Sequence, residues 1–225
     1  MAERKISTTS EINRALLKEL EATRSVQLTR LTGQHCIAIG LPAGYTVRVE
    51  GNAGDFFGAL NSGASLSLNG NAGRFCGDSM ISGELIVNGD CGSGAGHYMR
   101  GGTLVVKGDC RGPAGQMMRG GTLVIDGAVG RETGKYMMLG ELVVVGDAGE
   151  LVGENIMGGA IFVLGEPASL GLNARLSKPS PQELDRLRQL HRLYKFRRVQ
   201  SDEEFLDFKK IFPETARPLI GEVRM

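Results

Sequence analysis

Residues 101–127 read GGTLVVKGDCRGPAGQMMRGGTLVIDG, and their spacing decides the fold. Gly108 and Gly127 stand nineteen residues apart, and each follows an apolar pair spaced by two, Leu104/Val106 and Leu123/Ile125. Carried outward, the spacing gives a ladder of seven glycines: Gly51, Gly70, Gly89, Gly108, Gly127, Gly146 and Gly165. Two more columns keep phase with it. Gly58, Gly77, Gly96, Gly115, Gly134 and Gly153 lie seven residues after the first six members. Gly54, Gly73, Gly92, Gly130 and Gly149 lie three after, with Arg111 in the one gap. Self-similarity at a short fixed period is the signature of a solenoid, in which each repeat stacks only on its neighbours.

The positions four and two before each ladder glycine are aliphatic throughout, from Val47/Val49 and Leu66/Leu68 to Leu142/Val144 and Ile161/Val163. Two-residue alternation of this kind is strand patterning, and the aliphatic positions form its inward face. The ladder glycine lets the chain turn where a Cβ would clash or where φ must be positive. A nineteen-residue repeat cannot hold a pair of helices, and nineteen is not a multiple of the six used by left-handed hexapeptide coils. The expectation is an all-β solenoid, a right-handed parallel β-helix of about seven rungs spaced roughly 4.8 Å apart. Two further inward columns are expected: Met80, Met99, Met118, Met137 and Ile156 ten after the ladder, and the small residues Ala53, Ala72, Cys91, Cys110, Val129 and Ala148 two after. Thioethers fill irregular gaps and bind few metals, so the methionine stripe reads as core.

Composition narrows the function. Among 225 residues, 26 basic and 25 acidic side chains nearly balance, which argues for no nucleic-acid face and no anionic membrane partner. No apolar stretch approaches the ~20 residues of a membrane span, and the opening MAERKISTTSEINR is no secretory signal, so a cytoplasmic protein is expected. Cys36, Cys76, Cys91 and Cys110 lack metal-ligand spacing. Cys91 and Cys110 should stack on adjacent rungs, close enough for a disulfide, with reduced thiols the expected state in that compartment.

The ends carry caps. Thr8 and Glu11 form a capping box for a helix through about Glu21 with Ile12, Leu16, Leu17 and Leu20 on one face. Val26 to Ile39 reads as irregular or strand structure leading into the coil. Ser180, Pro181 and Glu183 start a second helix with Leu184, Leu187, Leu190, Leu193 and Phe196 on its apolar side. Ser201 with Glu204 reads as the start of a third, carrying Phe205, Phe208, Ile211 and Phe212. The chain therefore divides into an N-terminal helical cap (1–29), the β-helix (30–172) and a C-terminal helical extension (173–225).

One outward column is unusual. Three before each ladder glycine stand Arg48, Ser67, Ile86, Val105, Val124, Val143 and Phe162, polar at first and apolar in the last five rungs. The stripe Ile86, Val105, Val124, Val143, Phe162 is about 19 Å long and needs a cover, either the C-terminal helices or a partner.

Groups for catalysis are sparse. The position after each ladder glycine reads Asn52, Asn71, Asp90, Asp109, Ala128, Asp147 and Glu166, which could bind calcium or serve acid–base cleavage of a polymer. Turn residues accepting backbone hydrogen bonds explain the column more simply. Arg100 and Arg119 stack eleven after the ladder beside His97 and Tyr98, as an anion site or a solvated charged face. His97 and His191 have no nucleophile at a recognisable spacing, and the glycines at 92, 94 and 96 precede no helix that could hold a pyrophosphate. No catalytic, cofactor or metal residue is assigned.

The rung pattern Gly-x-x-Gly-x-x-x-Gly, as in Gly51-Gly54-Gly58, Gly70-Gly73-Gly77, Gly127-Gly130-Gly134 and Gly146-Gly149-Gly153, resembles the GXGXG β-helix domain at the C-terminus of the glutamate synthase large subunit. Free-standing relatives are the small subunit of N-methylglutamate synthase-type complexes and the β-helix subunit of formylmethanofuran dehydrogenase. The resemblance covers roughly residues 30 to 172, and the tail phrases LYKFRRV and FKKIFPETARPLIGE look closer to the glutamate synthase-like proteins. It implies a non-catalytic scaffold subunit whose partners are an FMN/iron–sulfur synthase subunit and a glutaminase-like amidotransferase subunit. FMN and the iron–sulfur cluster would then sit on those partners and not on this chain. The alternatives are the β-helix subunit of a formylmethanofuran dehydrogenase or formyltransferase/hydrolase complex, and a stand-alone β-helix, either a structural one that polymerises through its ends as a homo-oligomer or a catalytic one acting on polymers.

Overall fold

The computed structural model describes residues 8–215. The first seven residues of the expected N-terminal cap, and the tail from residue 216 onward, lie outside the described residues. Helix α1 (Thr9–Thr23) leads into β1 (Ser25–Gln34), and then one long strand per rung succeeds it: β2 (Thr46–Ala53), β3 (Ser62–Asn69), β4 (Ser82–Val87), β5 (Thr103–Val106), β6 (Arg119–Ile125), β7 (Leu139–Val144) and β8 (Ala160–Val163). All pair in parallel in sequence order, the arrangement of a β-solenoid of about seven turns.

The register keeps the sequence period. Val47 pairs with Leu66, Leu66 with Leu85, Leu85 with Leu104, and so on through Leu123, Leu142 and Ile161. Because side chains alternate faces, a one-residue slip would turn this whole aliphatic column out of the core. A second line of stacking runs through Ala72, Cys91, Cys110, Val129, Ala148 and Pro167, and Ala95 stacks on Ala114. These columns and the methionines are buried, Met80, Met99, Met118 and Met137 with no exposure at all. Asn61, which interrupts the methionine column, is equally buried. Its amide substitutes for missing ladder bonds: Oδ1 accepts from Ala64 N at 3.0 Å and Nδ2 donates to Ala64 O at 2.9 Å.

Two glycine columns act through different physics. The plus-seven column is a conformational requirement: Gly115 has φ +63°. The ladder column is mostly a matter of space. Only Gly51 and Gly70 have positive φ there, whereas a Cβ on Gly127 would lie 2.6 Å from the Gly108 carbonyl oxygen of the rung before. Backbone approaches backbone too closely at this corner for any side chain.

Both ends are closed. The Thr8–Glu11 capping box is formed, and Leu16 and Leu20 of α1 are buried against the first rung. Asn13 fastens the helix to the coil by donating to Cys36 O at 2.7 Å and accepting from Ala38 N at 3.2 Å. At the far end come β9 (Ala174–Ser177), helix α2 (Pro181–Tyr194) with its Ser180–Glu183 capping box, and β10 (Lys209–Pro213). The helix expected from Ser201 does not form. The segment makes one 3-10 turn over Glu203–Asp207, and β10 then joins the sheet antiparallel to β8, between β8 and β9. Pairing with the otherwise open edge of β8 outweighs the local helical spacing of the phenylalanines.

Candidate functional surface

The outward stripe lies inside the protein. Val105, Val124 and Val143 are fully buried, and Phe162 nearly so, in a cluster with Leu187, Leu190, Phe196, Phe205 and Phe208 from α2 and the segment after it. Ile86, at the stripe's early edge, is partly buried against the same cluster. Three acids on the coil anchor this cover. Arg186 Nε donates to Glu141 Oε2 at 3.1 Å, and Tyr194 Oη donates to Glu84 Oε1 at 2.8 Å. Burial and that bond to Glu84 push the Tyr194 phenol up to about 12.

The third anchor is Asp126, whose side chain is fully buried. Its two oxygens accept from the backbone N–H of Arg197 at 2.9 Å, and Arg197 Nε lies 3.5 Å away. Burial pushes this carboxyl above its usual range, against the opposing pull of the Arg197 N–H and of the Lys107 and Arg197 charges. Relative to the unfolded chain, folding thus favours proton binding at this carboxyl. Asp126 contributes stability fully below the ordinary carboxylate pKa of about 3.9 and loses it as pH rises through the raised folded value. Asp126→Asn keeps an oxygen acceptor and removes the charge. It is expected to raise the thermal midpoint relative to wild type by more at pH 7 than at pH 4, and paired melts would show the opposite order if the carboxylate were the favoured form.

The polar column after the ladder serves the coil itself. Asn52 Oδ1 accepts from Asn71 N at 2.9 Å, Asn71 Oδ1 from Asp90 N at 2.8 Å, Asp90 Oδ1 from Asp109 N at 3.0 Å, and Asp109 Oδ1 from Ala128 N at 2.8 Å. Each side chain bonds the next rung, so the column is a ladder of rung-to-rung hydrogen bonds. No group of three or more His, Cys, Asp or Glu side chains is placed to hold a metal among the described residues.

The four cysteines are free thiols, and Cys91 stacks on Cys110 in the predicted register. A hydrogen bond with the Cys76 thiol, together with burial, pushes the Cys91 thiol well up, and burial raises that of Cys110. Protonated, buried thiols among aliphatic side chains are poor nucleophiles and poor iron ligands.

The histidines have structural surroundings. His97 Nδ1 lies 2.7 Å from Asp78 Oδ1, and no hydroxyl or thiol bonds to its ring among the described residues. His191 sits edge-on to Phe196 and Phe205 at 5.4 and 5.7 Å. Arg119 lies over the Tyr98 ring at 5.9 Å. A wide groove of about 670 Å³ beside β9 and β10 is lined by Leu164, Leu176, Lys178 and Lys209. Its lysines are engaged by the protein, Lys209 with Glu166 at 2.9 Å and Gly165 O at 3.1 Å, and Lys178 with Leu206 O at 3.4 Å.

The family model for the GXGXG motif matches residues 2–196, from the N-terminal cap through α2. The chain belongs to the GXGXG-motif family. No curated protein matches it. For this GXGXG protein the repeat glycines thus mark the corners of a coil whose polar columns bond their own neighbours. Asp126 and the corner aromatics Phe56, Phe75 and Tyr136 escaped sequence reading, whereas Tyr98 was singled out with Arg100 and Arg119. Their signal lies in the same alignment of rungs, as outward columns one before and five and nine after the ladder. No helix among the described residues is long and apolar enough to cross a membrane.

Proposed function

We propose that this GXGXG protein is the structural subunit of a cytoplasmic, multisubunit glutamate synthase-like amidotransferase/oxidoreductase. The observation that carries the reading is the family match over residues 2–196 on a coil whose column of Asn and Asp side chains after the ladder is spent on its own rungs. A rod of stacked rungs holds distances fixed, which suits a spacer between active sites on other chains. In this reading a glutaminase-like amidotransferase subunit releases ammonia, an FMN/iron–sulfur synthase subunit uses it, and both cofactors sit on the latter.

The test is purification of the chain, tagged at its own locus, from its own host. A yellow-brown complex containing flavin, an iron–sulfur chain and an amidotransferase chain is expected. A colourless lone species, or a complex with a molybdopterin-type or amidohydrolase-type chain, would overturn the reading.

A further inference from the structure

Between the small-residue column and the next long strand, the backbone enters the left-handed region at plus seven and plus nine in every rung from Gly51 to Gly146, and at plus five in all of these but the rung of Gly108. Side chains crowd the backbone there, and glycine takes it freely. The chain uses glycine for this conformation at plus seven in six successive rungs. At plus five and plus nine it places Phe56, Phe75, Leu60, Tyr98, Met117 and Tyr136, and also Ser79, Glu132, Leu151 and Asn155, with φ between +52° and +60°. These side chains do not fill the core, because the inward positions beside them belong to other residues, such as Ala95 and Met99, both fully buried. Phe56 is 37% exposed and Leu60 48%, and Ile81 at plus eleven is 48% exposed. The left-handed turn recurs whatever the side chain and so belongs to the coil; what marks these columns is that most of their members are aromatic or other large apolar residues.

The same side chains are pre-ordered. Phe56 stacks on Phe75 at 5.2 Å, Phe75 meets His97 edge-on at 5.5 Å, and His97 meets Tyr98 at 4.4 Å. Rigid aromatic side chains bury area on docking with little loss of freedom. The face runs from the first rung to the fifth, about 19 Å.

Charge identifies the occupant. Arg100 and Arg119 are exposed on adjacent rungs of this face, and among the described residues neither guanidinium has a carboxylate partner. The neighbouring polar groups are partnered: His97 Nδ1 lies 2.7 Å from Asp78 Oδ1, and Lys135 pairs with Glu132 at 3.1 Å. A second copy docked by a two-fold axis passing between these two arginines would bring Arg100 of one copy against Arg119 of the other. Like charges so placed repel. A different chain bearing carboxylates relieves the repulsion.

We propose that this arginine-edged aromatic face docks a different protein chain, one presenting apolar side chains flanked by carboxylates that pair with Arg100 and Arg119. The proposal rests on the reading of this protein as a subunit of a larger complex and assigns the side by which it is held.

The test uses the full chain expressed in its own host, as wild type, as Tyr98→Gly/Met117→Gly and as Arg100→Glu/Arg119→Glu. A photo-cross-linker is placed at Met117 or, as a control, at Arg192 on the exposed side of α2. Both double variants are expected to keep the thermal midpoint within about 2 °C, since glycine relieves the left-handed corners and the arginines are at the surface. Both should weaken partner binding more than tenfold. The cross-link should run from 117, and not from 192, to a carboxylate-bearing surface, and reversing those carboxylates to lysine should restore binding to the Arg100→Glu/Arg119→Glu chain. A cross-link to a second copy of this chain, or a partner retained undiminished by both variants, would overturn the proposal and leave the subunit reading intact. A wild-type chain that elutes alone would overturn both.

Discussion

A Gly127→Ala chain is expected to lose about 3 kcal/mol or more of stability through overpacking and a broken hydrogen bond. The new methyl would lie 2.6 Å from the Gly108 carbonyl oxygen and 2.7 Å from its carbon, both backbone atoms of the rung before. Asp109 Oδ1 occupies the same corner and accepts from Ala128 N at 2.8 Å. No rotamer change makes room, so the two rungs must separate and give up that bond. Gly115→Ala is the informative comparison. There φ is +63° and the nearest atom is the flexible end of Leu142 at 3.1 Å. Its cost is that of a left-handed L-residue, about 1–2 kcal/mol. Urea melts of the two variants should rank Gly127→Ala as the more damaging. An equal or reversed ranking would mean that the ladder column serves backbone conformation and not close approach.

Val124→Glu is expected to strip the C-terminal cover from the coil. Val124 is fully buried in the cluster with Leu187, Leu190, Phe196, Phe205 and Phe208. An uncompensated charge at such a site costs about 3–5 kcal/mol. The coil's own core lies on the other face of β6, so the cheaper escape is release of the segment from α2 to β10. Limited proteolysis should then cut between residues 178 and 215 while the parallel sheet keeps its amide protection. The Glu84, Glu141 and Asp126 anchors would be freed with it. A variant with unchanged proteolysis and thermal midpoint would contradict the packing described for this stripe.

Much of the coil was legible because its period is simple. The nineteen-residue spacing fixes the rung, and the aliphatic pairs fix its inward face, so the register Leu104–Leu123–Leu142 comes from counting. The capping boxes at Thr8 and Ser180 were local signals and formed where the sequence placed them. The segment after Ser201 was not legible. Ser201 Oγ bonds the Glu204 carboxylate and not the backbone N–H of a helix start, and Lys209–Pro213 takes the sheet edge left by β8. Edge pairing is a property of the assembled coil and leaves no trace in local spacing.

The site was less legible than the fold. His97, Tyr98, Arg100 and Arg119 stood out as a charged group, and the structure adds the aromatic stack that accompanies them. Sequence periodicity locates outward columns but does not reveal which of them the C-terminal segment covers. That choice sent the valine stripe inside and left the Phe56-to-Tyr136 corners outside. Asp126 was hidden for a related reason, since its partner Arg197 lies 71 residues away in sequence.

In the proposed role this chain couples active sites on other chains and performs no chemistry itself. Glutamine-dependent glutamate formation by the host's partner subunits, with the chain removed and then added back, probes that role without an intermediate step. Glutamine hydrolysis and flavin reduction should each persist in its absence. Coupled synthesis should be lost without it and should return on adding the full chain. Coupled synthesis that proceeds equally well without it, or a half-reaction that vanishes while every partner is folded and loaded, would rule the coupling role out.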